Sequence, residues 1–496
     1  MSIILSVKNL TITVDGSKLV ENVSFNLESG KILAIIGESG SGKSLIAKSI
    51  LRINNENSFS YPRGKIIYQQ KDILDLSESQ INYRGKNIAL ITQDPFVSLN
   101  PLHHIKKQIS ESLLHHKLAN KKDASDLVNT MLKEVELESL VPCDKIYPHQ
   151  LSGGQKQRVM IAMSLIAKPE ILIADEPTTS LDPRIQQEII DLLLKLQRKL
   201  GISLIFISHD LNLIRKIADN VLVISQGKMV EYNSTKNIFN FPKKAYTKEL
   251  TNSLKFNFTK NVIRTHNLPL LKVRNLSISY NLGVFLQKQK LTVIDDVSFD
   301  ILPGETVGLI GSSGAGKSSL ARVILKLQKD FTGKIIFNDI DLGSLKSDDL
   351  RRLRRDIQIV FQDPFATLNP KMTIYKIIAE GLKAHKIPNR EAIINDVIKS
   401  VGLKKEYLTR FPSQFSGGQR QRIAMARALS LSPKFIILDE PTASLDATAQ
   451  KELLLLLVDL QKKYNLSYLF ISHDHKIIKE ISHRRLMIEN KKIIEI

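Results

Sequence analysis

The octet Gly37-Glu38-Ser39-Gly40-Ser41-Gly42-Lys43-Ser44 recurs as Gly311-Ser312-Ser313-Gly314-Ala315-Gly316-Lys317-Ser318. The residues downstream of each octet recur with it. Lys43 and Lys317 are 274 residues apart, Gln93 and Gln362 are 269 apart, and Asp175/Asp439 and His209/His473 are each 264 apart. One glycine-rich match is a hypothesis, whereas an ordered series at nearly fixed offsets is a duplicated unit. The length changes fall between motifs, where loops absorb them. The 496 residues therefore divide into two units: 1–250 and 268–496, joined by a polar linker over 251–267 with no strong periodicity.

Each octet has the strand–loop–helix setting that phosphate binding requires. Lys31 to Ile36 reads as a buried strand and Ser44 to Ile53 as a helix; Thr306 to Ile310 and Ser318 to Leu327 repeat the pattern. The glycines let backbone N–H groups converge on phosphates. Lys43 and Lys317 are expected to reach the β- and γ-phosphates of ATP, and Ser44 and Ser318 to ligate Mg²⁺. Apolar runs Ile171–Ala174 and Phe435–Leu438 then deliver Asp175-Glu176 and Asp439-Glu440. The aspartates are placed for the metal and the glutamates for the general base. Ser152-Gly153-Gly154-Gln155 and Ser416-Gly417-Gly418-Gln419 each precede a helix-forming stretch, Val159 to Ala167 and Ile423 to Leu429, and N–H groups at such a helix start suit an anion.

Composition bounds the remainder. The net charge is +21, with no tryptophan and 6% aromatic residues. Its lysines are scattered rather than interleaved with aromatics, so a compositional bias is favoured over a nucleic-acid patch. The longest apolar run, Leu453 to Val458, is far short of the roughly 20 residues that span a bilayer. No sorting signal is read at the start. Cys143 is the only cysteine, which excludes a disulfide within the chain and any cysteine-rich metal cluster. His103-His104 and His115-His116 lack accompanying carboxylates and are expected on a solvated surface.

The octets, Gln93, the Leu-Ser-Gly-Gly-Gln signature, the Asp-Glu pairs, Ser180-Leu181-Asp182, His209 and their second copies, Ser444-Leu445-Asp446 included, together resemble the ATP-binding-cassette (ABC) ATPases. The resemblance implies an α/β fold: two tandem P-loop NTPase domains, each with a RecA-like parallel core, an antiparallel β subdomain and a helical signature subdomain. It implies head-to-tail pairing of the halves, so that each ATP lies between one phosphate loop and the other half's signature. Gln93 and Gln362 would sense the γ-phosphate, join the metal shell and couple to a permease, while His209 and His473 would orient that phosphate. Gln-Asp-Pro-Phe-x-x-Leu-Asn-Pro occurs at Gln93 to Pro101 and at Gln362 to Pro370. With Pro242 to Thr247, this resembles the oligopeptide, dipeptide and nickel importers. Tyr147-Pro148-His149-Gln150 and Tyr468 to Asp474 are most similar to the fused ATPases of microcin C-type peptide importers. The implied partners are two transmembrane permeases and an extracytoplasmic binding protein, with this chain at the cytoplasmic face of the inner membrane. The alternative is a tandem cassette acting on ribosomes or nucleic acid. The chain lacks the long charged linker or zinc motifs of such relatives.

One departure separates the copies. The family places an adenine-stacking aromatic early in each half. Tyr280 fills that position in the second, but Val14 stands there in the first, so weaker nucleotide binding is expected at the first loop.

Overall fold

The computed structural model describes residues 2–496 except 39, 56–57, 142–144, 179–180, 182, 254–267, 283–288, 313, 329 and 444. Ser39, Ser313, Ser180, Asp182, Ser444, Cys143 and most of the linker thus lie outside the described residues. The chain forms two compact units, Met1–Lys255 and Phe256–Ile496.

In the first unit, β1 (Ile3–Val14) and β2 (Ser17–Glu28) pair antiparallel, and β1 also pairs with a later strand. Alternation along β1 buries Leu5 and Val7, then resumes at Leu10 and Ile12. The skipped step is a bulge: Asn9 sits at φ 49, and the β1–β2 register shifts between Val7 and Leu10. An inserted residue of this kind keeps the apolar set facing inward. β3 (Ile32–Ile36) is buried at every position, the pattern of a parallel strand covered on both faces. It lies between parallel neighbours Ser203–Ile207 and Asn220–Ser225, and the sheet continues through Ile171–Asp175 to Ile88–Ile91. Helix α1 (Lys43–Leu51) leaves the loop after β3, and β4 (Phe59–Tyr68) is the second antiparallel partner of β1.

The second unit repeats this plan. Leu271–Leu282 and Gln289–Ile301 pair antiparallel, and Thr306–Gly311 lies between Ser467–Ile471 and Arg484–Glu489. Helices Ile374–Ala384, Arg390–Ser400 and Gly417–Leu429 pack a separate apolar cluster. Ile374, Ile378 and Leu382 face it at four-residue spacing.

Three details differ from the expectations drawn from sequence. The helix Ala245–Asn252 buries Thr251, so regular structure runs into the start of the polar stretch assigned to the linker. The signature helices begin at Gly153 and Gly417, within the motif rather than after it. The histidines are not all solvated: His103, His104 and His116 are half-buried, and only His115 is exposed. His104 precedes the helix Ile105–His115 and packs on Tyr147, ring centroids 4.2 Å apart. Burial of the neighbouring helix draws these rings in. No described helix is long and apolar enough to cross a membrane.

Candidate functional site

In an open parallel sheet, ligands bind beyond the carboxyl ends of the strands, and the motif residues converge there. Gly37 follows β3, Gln93 follows Ile88–Ile91, Asp175 ends Ile171–Asp175, and His209 follows Ser203–Ile207. The second unit places Gly311, Gln362, Asp439 and His473 on the equivalent strands.

Both phosphate loops enter their helices through a glycine in a left-handed conformation, Gly42 at φ 98 and Gly316 at φ 99. A Cβ on Gly42 would also lie 2.8 Å from Val20 Cγ2. Any other residue would meet backbone strain and a clash together. Lys43 Nζ donates to the Gly37 and Glu38 carbonyls at 2.9 and 2.6 Å, and Lys317 Nζ to those of Gly311 and Ser312 at 2.7 and 3.0 Å. Each buried ammonium is thus folded into its own loop. Gly40, Ser41, Gly314 and Ala315 complete the two curves.

The glutamates are held the same way twice. Gln93 Nε2 donates to Glu176 Oε2 at 3.2 Å, and His209 Nδ1 lies 3.5 Å from the same oxygen. Gln362 Nε2 and His473 Nδ1 approach Glu440 Oε2 at 3.0 and 3.4 Å. Glu176 and Glu440 both adopt φ 46, a strained left-handed conformation for a side chain of this size. Their N–H groups donate to the Ile207 and Ile471 carbonyls at 3.0 and 2.9 Å, which ties each turn to the next strand. Strain maintained twice at one oxygen's neighbourhood marks a functional arrangement.

Electrostatics agree with this division of labour. Burial pushes the Asp175 and Asp439 carboxyls above the usual aspartate range, against hydrogen bonds from Ser44 and Ser318. The hydrogen bond to His473 holds Glu440 below its ordinary value, against burial. Burial disfavours charged His209, but Glu176 more than offsets it and the imidazole pKa is raised. The donor set fits a cation: Asp439 Oδ1 is buried without a hydrogen-bond partner, and such an oxygen is costly unless something positive meets it.

The signature serines act as caps. Ser152 Oγ accepts from the Gln155 N–H at 3.3 Å while Gln155 Oε1 accepts from the Ser152 N–H at 3.0 Å. Ser416 and Gln419 repeat the pair at 3.4 and 3.1 Å. The amides of Gly153, Gly154, Gly417 and Gly418 are first-turn donors with no carbonyl four residues back within the helix.

Tyr280 is half-buried, and its hydroxyl bonds Ser319 Oγ at 2.7 Å and Gln328 Oε1 at 3.0 Å. The ring is therefore fixed beside the phosphate-loop helix. Val14 and Leu45 occupy the matching positions of the first unit. Asp210 is absent from the motif set read in the sequence, and Asp474 enters it only as the end of the run from Tyr468, yet both cap the helices after the histidines. Their side chains accept from Asn212 and Leu213, and from Lys476 and Ile477. An Asp just before an apolar run is the signal that marks them.

Residues 20–179 and 294–443 match the ABC transporter family model. The chain belongs to the ABC transporter family. This ABC protein binds ATP and is an ATPase. It is 41% identical over 485 residues, covering 96% of this chain and 91% of the relative, to the uncharacterized ABC transporter ATP-binding protein YejF of Escherichia coli K12. It is 39% identical over 534 residues to the glutathione import ATP-binding protein GsiA of the same strain, covering 99% and 86%. It is 38% identical over 504 residues, covering 99% and 92%, to the peptidoglycan transport ATP-binding protein YejF of Agrobacterium fabrum.

Proposed function

We propose that this ATPase energises the import of peptides or related small solutes through two membrane permeases fed by an extracytoplasmic binding protein. The observation that carries the reading is similarity over almost the whole chain to ATP-binding proteins named for glutathione import and peptidoglycan transport. The chain would work at the cytoplasmic face of the inner membrane.

Within each unit the residues take distinct roles. Lys43 and Lys317 neutralise phosphate charge. Glu176 and Glu440 accept a proton from the attacking water, and a positioned base of this kind contributes about 10²–10⁴-fold. His209 and His473 hold their glutamate and the γ-phosphate in register. Ser44, Asp175 and Gln93, with Ser318, Asp439 and Gln362, would hold Mg²⁺, which when bound offsets charge on the phosphates. The Gly153-Gly154 and Gly417-Gly418 amides supply anion donors.

The segments after Gln93 and Gln362 are proposed to meet the permeases. Val97 and Leu102 are 83% and 81% exposed, while Ala366 and Lys371 stand at the matching positions. The first segment exposes two large apolar side chains where the second has a small residue and a cation, which supports two non-identical permeases. Affinity purification of the full chain from detergent-solubilised membranes tests the proposal. Two permease polypeptides should co-purify, and deletion should abolish uptake of labelled peptide. Salt-sensitive recovery of ribosomes or nucleic acid instead would refute it.

A further inference from the structure

A cleft of about 460 Å³ opens on the antiparallel sheet of the first unit, lined in part by Thr11, Lys18, Glu21, Asn22, Arg63 and Lys228. Its side chains stand on strands, not on loops. Thr11 lies opposite Arg63, Thr13 opposite Lys18, and Lys228 opposite Glu21. Asn22 is at φ 55 and its N–H donates to Thr11 Oγ1 at 3.3 Å. Gly64, next to Arg63, is at φ 109, and a Cβ there would lie 2.5 Å from Leu10 Cα. That close approach seats Arg63 firmly against β1.

The cleft holds three cations and one carboxylate. Glu21 is shared between Lys18 at 3.4 Å and Lys228 at 3.2 Å. Arg63 is exposed and, among the described residues, has no acidic partner. The second unit builds the same frame with other charges. Ser277 lies opposite Thr332 and Ser279 opposite Thr292. Thr292 thus replaces Lys18, Thr332 replaces Arg63, and Asp295 and Asp296 replace Glu21 and Asn22. There the polar groups satisfy one another: Lys492 is 3.4 Å from Asp295, Ser277 donates to Asp295 at 3.3 Å, and Asn275 donates to Asp296 at 2.9 Å. The fold therefore forms equally well with one cation and two carboxylates, so the basic set of the first unit is not a requirement of the sheet.

We infer that this cleft is a binding site for a ligand carrying two or more phosphate groups. A lone carboxylate would engage Arg63 and then only duplicate Glu21. A polyphosphate spans Arg63 and the two lysines with charge-assisted hydrogen bonds, and the volume lies within the range of small-molecule sites. The cleft also backs onto the first phosphate loop. The Glu21 N–H donates to the Gly227 carbonyl at 2.8 Å, and the Gly227 N–H donates to the Ser41 carbonyl at 3.2 Å. Occupancy at Lys228 and Glu21 is therefore two hydrogen bonds from the loop that holds Lys43.

The test uses the full chain carrying Lys43→Ala and Lys317→Ala, so that phosphate binding at the two loops is disabled and the outcome is separate from the ATPase reading. Calorimetric titration with tripolyphosphate should show one site, weakened about five-fold by Arg63→Glu and about two-fold by Lys228→Gln, the scale of exposed charge contacts. Flotation with phosphatidylcholine vesicles doped with phosphatidylinositol bisphosphate forms a second arm, and the arm that responds to Arg63→Glu distinguishes a soluble polyphosphate from a multiply phosphorylated lipid headgroup. Grafting Thr292→Lys, Asp296→Asn and Thr332→Arg should create a second site. Absence of binding in both arms, or binding undiminished by Arg63→Glu, would overturn the inference.

Discussion

The two units share their reaction centre almost atom for atom and differ around it. Glutamine and histidine meet one glutamate oxygen at 3.2 and 3.5 Å in the first, and at 3.0 and 3.4 Å in the second. Away from that oxygen the copies diverge. The second unit fixes Tyr280 against Ser319 and Gln328, where the first has Val14, Leu45 and Asn54. Half-buried Arg427 donates to the Thr367 carbonyl at 2.8 Å and so ties the helix after Gln362 to the signature helix. Met163 stands at its counterpart in the first unit. Chemistry tolerates sub-ångström change poorly, whereas the surroundings of the centre and the surface charge can be retuned one copy at a time.

The largest effect should break the likeness between the centres. Glu176→Gln and Glu440→Gln should each cut steady-state ATP hydrolysis by about 10²–10⁴-fold at its own site; equal losses would mean equal competence, and a variant with normal turnover would remove that site from the account. Next comes Arg427→Met, which copies the first unit's residue. Losing a hydrogen bond to a charged group should cost about 1.5–3 kcal/mol, read by urea denaturation, with no comparable loss in Met163→Leu.

Val14→Tyr should tighten nucleotide binding at the first loop, and Tyr280→Ala should weaken it at the second, each by about 0.5–1.5 kcal/mol. Fluorescent-nucleotide titration checks both, and unchanged affinities would make the aromatic dispensable. The smallest effect concerns pH. Because His473 holds Glu440 below the ordinary glutamate value, that pair's stabilisation is present above the ordinary value and fades as pH falls through the lowered one. Melting of the wild type should therefore lose its advantage over Glu440→Gln on acidification.

Much of this is legible in the chain because phosphate chemistry demands particular residues at particular points. The order of the glycine loops, Gln93, Asp175-Glu176 and His209 comes from strands that must end at one edge of a sheet. Conformation and sharing are not written there. Nothing in Asp-Glu-Pro announces φ 46 at Glu176 and Glu440, because the strain is imposed by the neighbouring strand through the Ile207 and Ile471 carbonyls. The half-burial of His103 and His104 is also hidden, since the packing of His104 on Tyr147 brings together residues more than forty positions apart. Likewise the cleft at Arg63 appears only when the register sets four strands side by side.

Counting retained nucleotide tests the duplicated centre most directly. The full chain with Glu176→Gln and Glu440→Gln together would be mixed with labelled ATP and Mg²⁺, passed through a desalting column and assayed for bound label. Two unhydrolysed ATP molecules per chain are predicted, one leaving faster than the other because Val14 stands where the second unit has Tyr280. A single retained ATP, or label recovered as ADP, would contradict the account.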